Sequence, residues 1–141
     1  MSHSAVASRA EQQVWRLGQA INDHDLEAIV ACFTPDVASE QPAHPSRNFH
    51  GIEQLRRNWT QILGSVAGLR AEQLGRVSEG STVWVEWRWS GWRADGQPFA
   101  MNGVTIQHVT DLGIDSVRFF MEPLDTSGQR VGDAVRQATA S

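Results

Sequence analysis

Residues 82–92, TVWVEWRWSGW, and residues 99–109, FAMNGVTIQHV, are two runs in which side chains of opposite character alternate. Alternation with a period of two is typical of a β-strand that turns one face to a core. Residues 94–97, ADGQ, have the composition of a turn, so we expect an antiparallel hairpin. One face of its first strand would carry Val83, Val85, Trp87 and Trp89, and the other Trp84, Glu86, Arg88 and Ser90.

The same texture continues on both sides of this hairpin. Residues 69–77 and residues 116–122 also read as strands, and each is set off from the hairpin by a segment rich in Gly, Ser and Asp. Consecutive strands joined by short turns are typical of an antiparallel meander. The C-terminal half of the chain therefore predicts four long strands in one sheet.

The N-terminal half is helical in pattern. Apolar residues at a spacing of three and four predict a helix from Ser8, a short helix over residues 26–33 capped by Asp25, and a third helix after Gly51. Between the last two helices, Thr34-Pro35-Asp36 has the composition of a turn.

The rest of that connection and the C-terminus are less regular. Residues 37–41 read as a short strand and residues 43–50 as a loop. Residues 125–141 are polar with a weak helical pattern, and we expect a tail, as we expect a frayed end over residues 1–7.

Helices followed by a meander predict an α+β fold. We expect a curved antiparallel or mixed sheet wrapped around the N-terminal helices, which gives a cone with an internal pocket. A length of 141 residues suggests one domain over residues 1–141, with its core at about residues 8–124.

The composition excludes several kinds of chemistry. All twelve basic residues are arginine, so there is no lysine for a Schiff base or a Walker A loop. There is no tyrosine to act as a phenolic donor, and the single Cys32 reads as a core residue. No His, Asp, Glu or Cys spacing resembles a metal site, and we expect no metal and no cofactor.

Charge and hydropathy bear on partners and location. A net charge of −4 argues against a nucleic acid or an anionic membrane as partner. No apolar run reaches the roughly 18 residues of a membrane span, and the first residues lack the apolar centre of a signal peptide. We therefore expect a cytoplasmic protein.

Three segments carry a resemblance to a known family: INDHDLEAIVACFTPDV at residues 21–37, FHGIEQLRRNWTQIL at residues 49–63, and GVTIQHVTDLGIDSVRFFMEPLD at residues 103–125. The order of these segments, their spacing and the turn residues between them resemble those of nuclear transport factor 2-like proteins. The last segment resembles the SnoaL-like branch. The resemblance covers about residues 10–124 and implies the cone fold. Family members include ketosteroid isomerases, limonene epoxide hydrolases, polyketide cyclases, dehydratases and binding modules, so it leaves the activity open.

The resemblance also shows which family groups this chain lacks. The base of the ketosteroid isomerases would fall on Gln41, their tyrosine near Leu17 and their protonated aspartic acid near Thr105. An amide is no general base at neutral pH, and leucine donates no hydrogen bond. The acid/base aspartate of the polyketide cyclases and epoxide hydrolases would fall on Phe119, and the hydrolase arginine and second aspartate near Trp87 and Trp89.

The register that the resemblance implies places an aromatic set on the concave face. The substrate-binding candidates are Leu17, Trp59, Trp87, Trp89, Met101, Thr105, Gln107, Val117, Phe119 and Met121. With the polar groups of Gln41, Thr105 and Gln107, such a cavity suits a flat hydrophobic small molecule held by two or three hydrogen bonds. The alternative is that the aromatic residues fill a core and leave no room for a ligand.

A second alternative concerns the register. A slip by one residue moves every side chain to the other face, and Glu86, His108 and Glu122 would then point inward as an acid/base set. In the favoured register these groups belong to ion pairs on the outer face. The burial of Trp87 relative to Glu86 distinguishes the two registers.

Three hypotheses for function remain open. The first is an enzyme that isomerises, cyclises or dehydrates a hydrophobic substrate, such as a polycyclic one, by proton transfer. Gln41 and Thr105 would orient the substrate, and His44 or Glu40 would move protons. The second is a binding module for an aromatic or hydrophobic ligand, and the third a structural role with a filled cavity. In each case we expect a homodimer through the convex face, where Trp84, Val104, Ile106 and Phe120 would form an apolar patch.

Overall fold

The computed structural model describes residues 8–140. Its first helix, α1, spans Arg9–Asn22 and begins where the Ser8 hydroxyl accepts a hydrogen bond of 3.0 Å from the Glu11 N–H. The second, α2, spans Leu26–Val30 with Asp25 as its cap, and α3 spans Ile52–Ser65. A fourth helix, α4, spans Val131–Thr139. The frayed end predicted at residues 1–7 lies outside the described residues.

The strands form one six-stranded sheet in the order β2-β1-β6-β5-β4-β3. The strands are β1 Phe33–Glu40, β2 Phe49–His50, β3 Val66–Glu79, β4 Thr82–Arg93, β5 Pro98–Thr110 and β6 Gly113–Pro123. Strand β1 runs parallel to β6, and every other pair is antiparallel. The sheet is therefore mixed, and the predicted α+β class is confirmed.

Burial along β4 resolves the register. Trp87 is 1 % exposed, whereas Glu86 is exposed to solvent. Helix α1 packs against β3, β4 and β5 and covers the face that carries Trp87. The slipped register is wrong, since Glu86, His108 and Glu122 all lie exposed on the outer face.

One glycine is required by the close approach of two strands. Gly103 of β5 pairs with Met121 of β6 and has φ 153°. A Cβ placed on Gly103 would lie 2.3 Å from the Phe120 carbonyl oxygen, closer than any real contact. Only glycine therefore lets β5 and β6 approach this closely.

The structure corrects the element boundaries around β1. Helix α2 ends at Val30, not at Phe33, and Phe33 begins β1 by pairing with Ile114. The predicted turn at residues 34–36 lies inside this strand, where the register with β6 is irregular between Phe33 and Ala38. A Pro in a bulged segment gives the same composition as a turn, which explains the error.

Other segments predicted as loop or tail are more ordered than expected. The loop at residues 43–50 contains a 3₁₀ turn, Pro45–Arg47, and strand β2, which pairs with Ala38 and Ser39. Strand β3 starts at Val66, three residues before the predicted start. The weak helical pattern of the tail is helix α4, whose described side chains are all exposed.

Candidate functional site

A cavity of about 390 Å³ lies between helices α1 and α3 and the concave face of the sheet. This volume falls within the range of small-molecule sites, roughly 300–1,000 Å³. It is lined by Leu17, Ile21, Phe33, Val37, Ser39, Gln41, Phe49, Leu55, Asn58, Trp59, Gln61, Ile62, Trp87, Trp89, Thr105, Gln107, Val117 and Phe119. The aromatic side chains therefore do not fill the interior of the cone.

Trp89 lies at the centre of the aromatic wall. Its ring centroid is 5.5 Å from that of Trp59 on α3, 6.1 Å from Trp87 and 6.1 Å from Phe119. The interplanar angles are 55° to 74°, which is the tilted or edge-to-face packing that aromatic rings prefer. The wall thus joins helix α3 to two strands of the sheet, β4 and β6.

Two polar side chains of β5 are buried in this wall. Thr105 is 4 % exposed and its Oγ1 accepts a hydrogen bond of 2.8 Å from Trp87 Nε1. Gln107 is 1 % exposed, and its Nε2 donates a hydrogen bond of 3.0 Å to the carbonyl oxygen of Val83. Both side chains line the cavity and are held by partners on β4.

The two inward tryptophans of β4 differ in their polar atoms. Trp87 Nε1 is paired with Thr105, whereas Trp89 Nε1 is buried and has no hydrogen-bond partner among the described residues. A buried donor without a partner costs on the order of 1–3 kcal/mol. Trp89 thus contributes apolar area but no hydrogen bond of its own.

Further polar groups of the lining come from the end of β1 and from α3. Gln41 accepts a hydrogen bond of 3.4 Å from Arg47 Nη1, and its own N–H donates to Asn48 Oδ1 at 2.7 Å. The lining residues Ser39, Asn58 and Gln61 were not predicted from the sequence. Asn58 follows Leu55 by three residues and so lies beside it on the helix surface, but the sequence does not distinguish these two polar residues of α3 from ones that face water.

Four predicted site residues lie outside the lining of the cavity. Met101 is half-buried beside Trp89 on the neighbouring strand, and Met121 is 1 % exposed opposite Gly103. Both share the inward face of their strands, but the cavity covers only part of that face. The remaining two are the proton-transfer candidates Glu40 and His44.

Glu40 and His44 are turned to the outer side of the sheet. Glu40 Oε1 lies 4.0 Å from Arg118 Nε, because alternation along β1 turns Glu40 away from the side of Ser39. His44 Nε2 lies 3.0 Å from Glu122 Oε2, whose residue is on the outward face of β6. As a result, no Asp, Glu, His, Cys or Arg is among the described residues that line the cavity.

The single thiol is separate from the cavity. Cys32 is buried and donates a hydrogen bond of 3.3 Å to the Ala28 carbonyl oxygen. Burial raises the pKa of the Cys32 thiol above its ordinary value, and the positive charge of Arg16 acts weakly in the opposite direction. A thiol in this state is a poor nucleophile and is consistent with a core residue.

Residues 8–140 contain neither a metal-binding cluster nor a membrane-spanning helix. No three His, Cys, Asp or Glu side chains of this part of the chain are grouped so that they could hold a metal ion. No helix in the same range is long and apolar enough to cross a membrane.

A mixed curved sheet that closes over helices around an apolar cavity defines the class of nuclear transport factor 2-like cone proteins, the fold also found in ketosteroid isomerases. Within that class, the sequence of the SnoaL-like domain matches residues 14–117. The chain belongs to the SnoaL-like domain family. No curated protein shows significant sequence similarity to it.

Several solved structures share this fold. One is the epoxide hydrolase/cyclase-like enzyme SalBIII, involved in pyran ring formation in the polyether salinomycin, with 20% identity, TM-score 0.72, and 86% of this chain and 95% of that chain covered. Another is a SnoaL-like polyketide cyclase, named as such only provisionally, from Shewanella denitrificans OS-217, with 12% identity, TM-score 0.70, and 82% and 92% covered. At these identities the likeness shows the fold alone.

A third similar structure is a hypothetical protein with a ketosteroid isomerase-like fold from Catenulispora acidiphila DSM 44928, in complex with trimethylamine. It has 17% identity and a TM-score of 0.67, and the match covers 77% of this chain and 85% of that chain.

Proposed function

We propose that this protein binds a neutral, largely apolar small molecule in the cavity of the cone. The observation that carries the proposal is the lining: aromatic and aliphatic side chains with a few uncharged polar groups, and no ionisable side chain among the described residues that form it. A charged ligand would lose its hydration there without an opposite charge to replace it, which disfavours its entry. Proton transfer also lacks a donor or acceptor in this lining.

The size and shape of the lining support a flat ligand. Tryptophan and phenylalanine rings form one side of the cavity, and they offer large planar contact areas to another ring system. Helix α3 adds Leu55, Trp59 and Ile62 to the lining, and Trp59 packs against Trp89 of the sheet. A molecule of two to four fused rings would bury most of its surface in such a space.

Binding can be tested with a panel of neutral polycyclic hydrocarbons and ketones, followed by tryptophan fluorescence. We expect dissociation constants in the micromolar range for the members that fit. Val117→Phe, which places a ring in the cavity, should weaken binding about tenfold or more, whereas Val77→Phe on the exposed side of β3 should leave it unchanged. The proposal fails if no member binds, and the site lies elsewhere if Val117→Phe has no effect.

A second candidate function is proton-transfer catalysis at the end of β1, and one contact favours it. The backbone N–H of His44 donates to the backbone carbonyl oxygen of Gln41 at 2.8 Å, which closes a tight turn between His44 and a residue that lines the cavity. For catalysis the imidazole would have to turn from the outer side of the sheet toward the cavity. Glu122 holds one imidazole nitrogen, which is how a carboxylate orients a catalytic histidine. The substrate would be the same kind of hydrophobic molecule, oriented by Gln41 and Thr105.

The two functions predict different results for a ligand found in the panel. If His44 is catalytic, His44→Gln should abolish conversion of the bound compound and leave its dissociation constant within about twofold. Mass spectrometry over hours measures conversion by the unmodified protein. If a compound binds and is not converted, the catalytic function is contradicted and only the binding function remains.

We also propose that two chains associate through the convex face. Trp84 pairs with Ile106 and Val104 with Phe120 on adjacent strands, so the four side chains form one patch. Trp84 is 49 % and Phe120 is 38 % exposed, and a patch of this kind favours burial against a partner. Sedimentation velocity should show a dimer that Trp84→Glu converts to a monomer, while Leu112→Glu in the exposed β5–β6 turn does not; a monomeric unmodified chain at tens of micromolar contradicts the proposal.

A further inference from the structure

Thr105 has its hydrogen-bonding polarity fixed by its neighbour Trp87. An indole N–H can only donate, so the Thr105 oxygen acts as the acceptor in the 2.8 Å contact between them. The hydroxyl hydrogen of Thr105 has no acceptor among the described residues, and the side chain lines the cavity. Thr105 can therefore donate one hydrogen bond to a molecule in the cavity.

Gln107 has the opposite polarity for a similar reason. A backbone carbonyl can only accept, so the amide nitrogen of Gln107 must be the atom that faces Val83, at 3.0 Å. The amide oxygen then faces away from β4, and it accepts no hydrogen bond from the residues that the structure describes. Because Gln107 is 1 % exposed and lines the cavity, this oxygen is available to accept a hydrogen bond from a molecule bound there.

From these two assignments we infer that β5 reads the ligand by a donor–acceptor pair: the ligand presents an acceptor oxygen to the Thr105 hydroxyl and a hydroxyl or N–H group to the Gln107 amide oxygen. The inference rests on the proposed binding function and narrows its ligand class to ring compounds that carry both groups, such as hydroxy-ketones. Residues two apart on a strand have their Cα atoms about 6.6 Å apart, so the two groups belong to one fused-ring skeleton.

The other polar groups of the lining do not have this fixed polarity. Gln41 lies near the entrance, where Arg47 and Asn48 already bond to its side chain and backbone. Asn58 and Gln61 bond to Gln54 and Ser65 within α3, and their amides can turn to suit either kind of ligand group. Discrimination between donor and acceptor is therefore concentrated in Thr105 and Gln107.

Four neutral probes with the same two-ring skeleton test the inference: tetralin, 1-tetralone, 7-methoxy-1-tetralone and 7-hydroxy-1-tetralone. Titration of the ¹⁵N-labelled protein, followed by the indole N–H signals of its six tryptophans, gives a dissociation constant for each. We expect 1-tetralone to bind about 3- to 10-fold more tightly than tetralin. We expect the hydroxy compound to bind more tightly than the methoxy compound by a similar factor, because each step adds one net hydrogen bond.

Two variants assign each step to its residue. Gln107→Met, close in shape and without the amide, should abolish the preference for hydroxyl over methoxy and keep the preference for the ketone over the hydrocarbon. Thr105→Val should do the reverse, and Thr105→Ser, which keeps the hydroxyl, should behave like the unmodified protein. The comparison among probes on the unmodified protein stands even if a variant does not fold.

The outcomes separate the inference from the function on which it rests. Equal affinity for all four probes overturns the donor–acceptor pair and leaves the binding function standing. A preference for methoxy over hydroxyl overturns the assignment of Gln107. If none of the four perturbs the indole signals, the proposed function and the inference fall together.

Discussion

The two faces of strand β4 place their tryptophans in different surroundings. On the concave face, Trp87 and Trp89 are 1 % and 6 % exposed and share their surroundings with uncharged groups. On the convex face, Trp84 is 49 % exposed and is followed along the strand by Glu86 and Arg88. One strand thus separates a neutral apolar interior from a charged exterior with a spacing of a single residue.

The outer face holds the charges in pairs. Arg88 Nη1 lies 3.6 Å from Glu72 Oε1, and His108 Nδ1 lies 2.8 Å from Asp115 Oδ1. These side chains are about half exposed, so each pair contributes little to stability. The charged side chains of β4 and β5 thus lie on the side of the sheet that faces away from the cavity.

The largest expected difference is between tryptophan-to-glutamate substitutions on the two faces of β4. Trp87→Glu places a carboxylate among apolar groups and removes a buried ring, and we expect the free energy of unfolding to fall by more than about 4 kcal/mol. Trp84→Glu, on the exposed face, should change it by less than about 1 kcal/mol under conditions that keep the chain monomeric. Urea denaturation monitored by circular dichroism measures both, and equal losses would contradict the assignment of faces.

Gly103 gives the next largest effect. Gly103→Ala would force a Cβ against the Phe120 carbonyl oxygen, so β5 and β6 must separate, and we expect a loss of about 3 kcal/mol. Gly75→Ala in β3 is the control, because a Cβ there meets nothing within 4 Å. The control should change the free energy of unfolding by no more than about 0.5 kcal/mol in the same denaturation experiment. If Gly103→Ala has an equally small effect, the two strands are free to move apart.

The smallest of the three effects compares the inward tryptophans with each other. Trp87→Phe removes the donor that pairs with Thr105, and we expect a cost of about 2–3 kcal/mol from the lost hydrogen bond and lost volume. Trp89→Phe removes an N–H that has no partner among the described residues, so we expect about 1 kcal/mol or less. A larger loss for Trp89 than for Trp87 would mean that its N–H is satisfied in solution.

Sequence patterns predicted the faces of the sheet well, and for a clear reason. Along β4 the period-two pattern predicted which side chains share a face, and the cost of burying Glu86 and Arg88 together favoured the register with Trp87 inward. The slipped register stayed open until the burial of Trp87 and the exposure of Glu86 distinguished the two. The class of fold followed from the order of helices and strands and from the family resemblance, and both are confirmed.

Other parts of the candidate site could not be read from the pattern. Asn58 and Gln61 lie on the cavity side of α3, but a polar residue that faces a cavity looks in a sequence like one that faces water. The contact of His44 with Glu122 joins residues 78 positions apart, and no local rule predicts it. How far a cavity extends along a strand is likewise a tertiary property, which is why Met101 and Met121 were placed in the lining.

The close pair of Trp59 and Trp89 also gives the cone an optical signature. Two indole rings 5.5 Å apart and inclined at 55° have electronic transitions that couple, and such coupling produces two far-ultraviolet circular dichroism bands of opposite sign. Because Trp59 is on helix α3 and Trp89 on the sheet, the amplitude of this couplet depends on the distance between the two layers. A ligand that increases the distance between the two rings would reduce the amplitude of the couplet, so its binding could be followed by circular dichroism on the unlabelled protein.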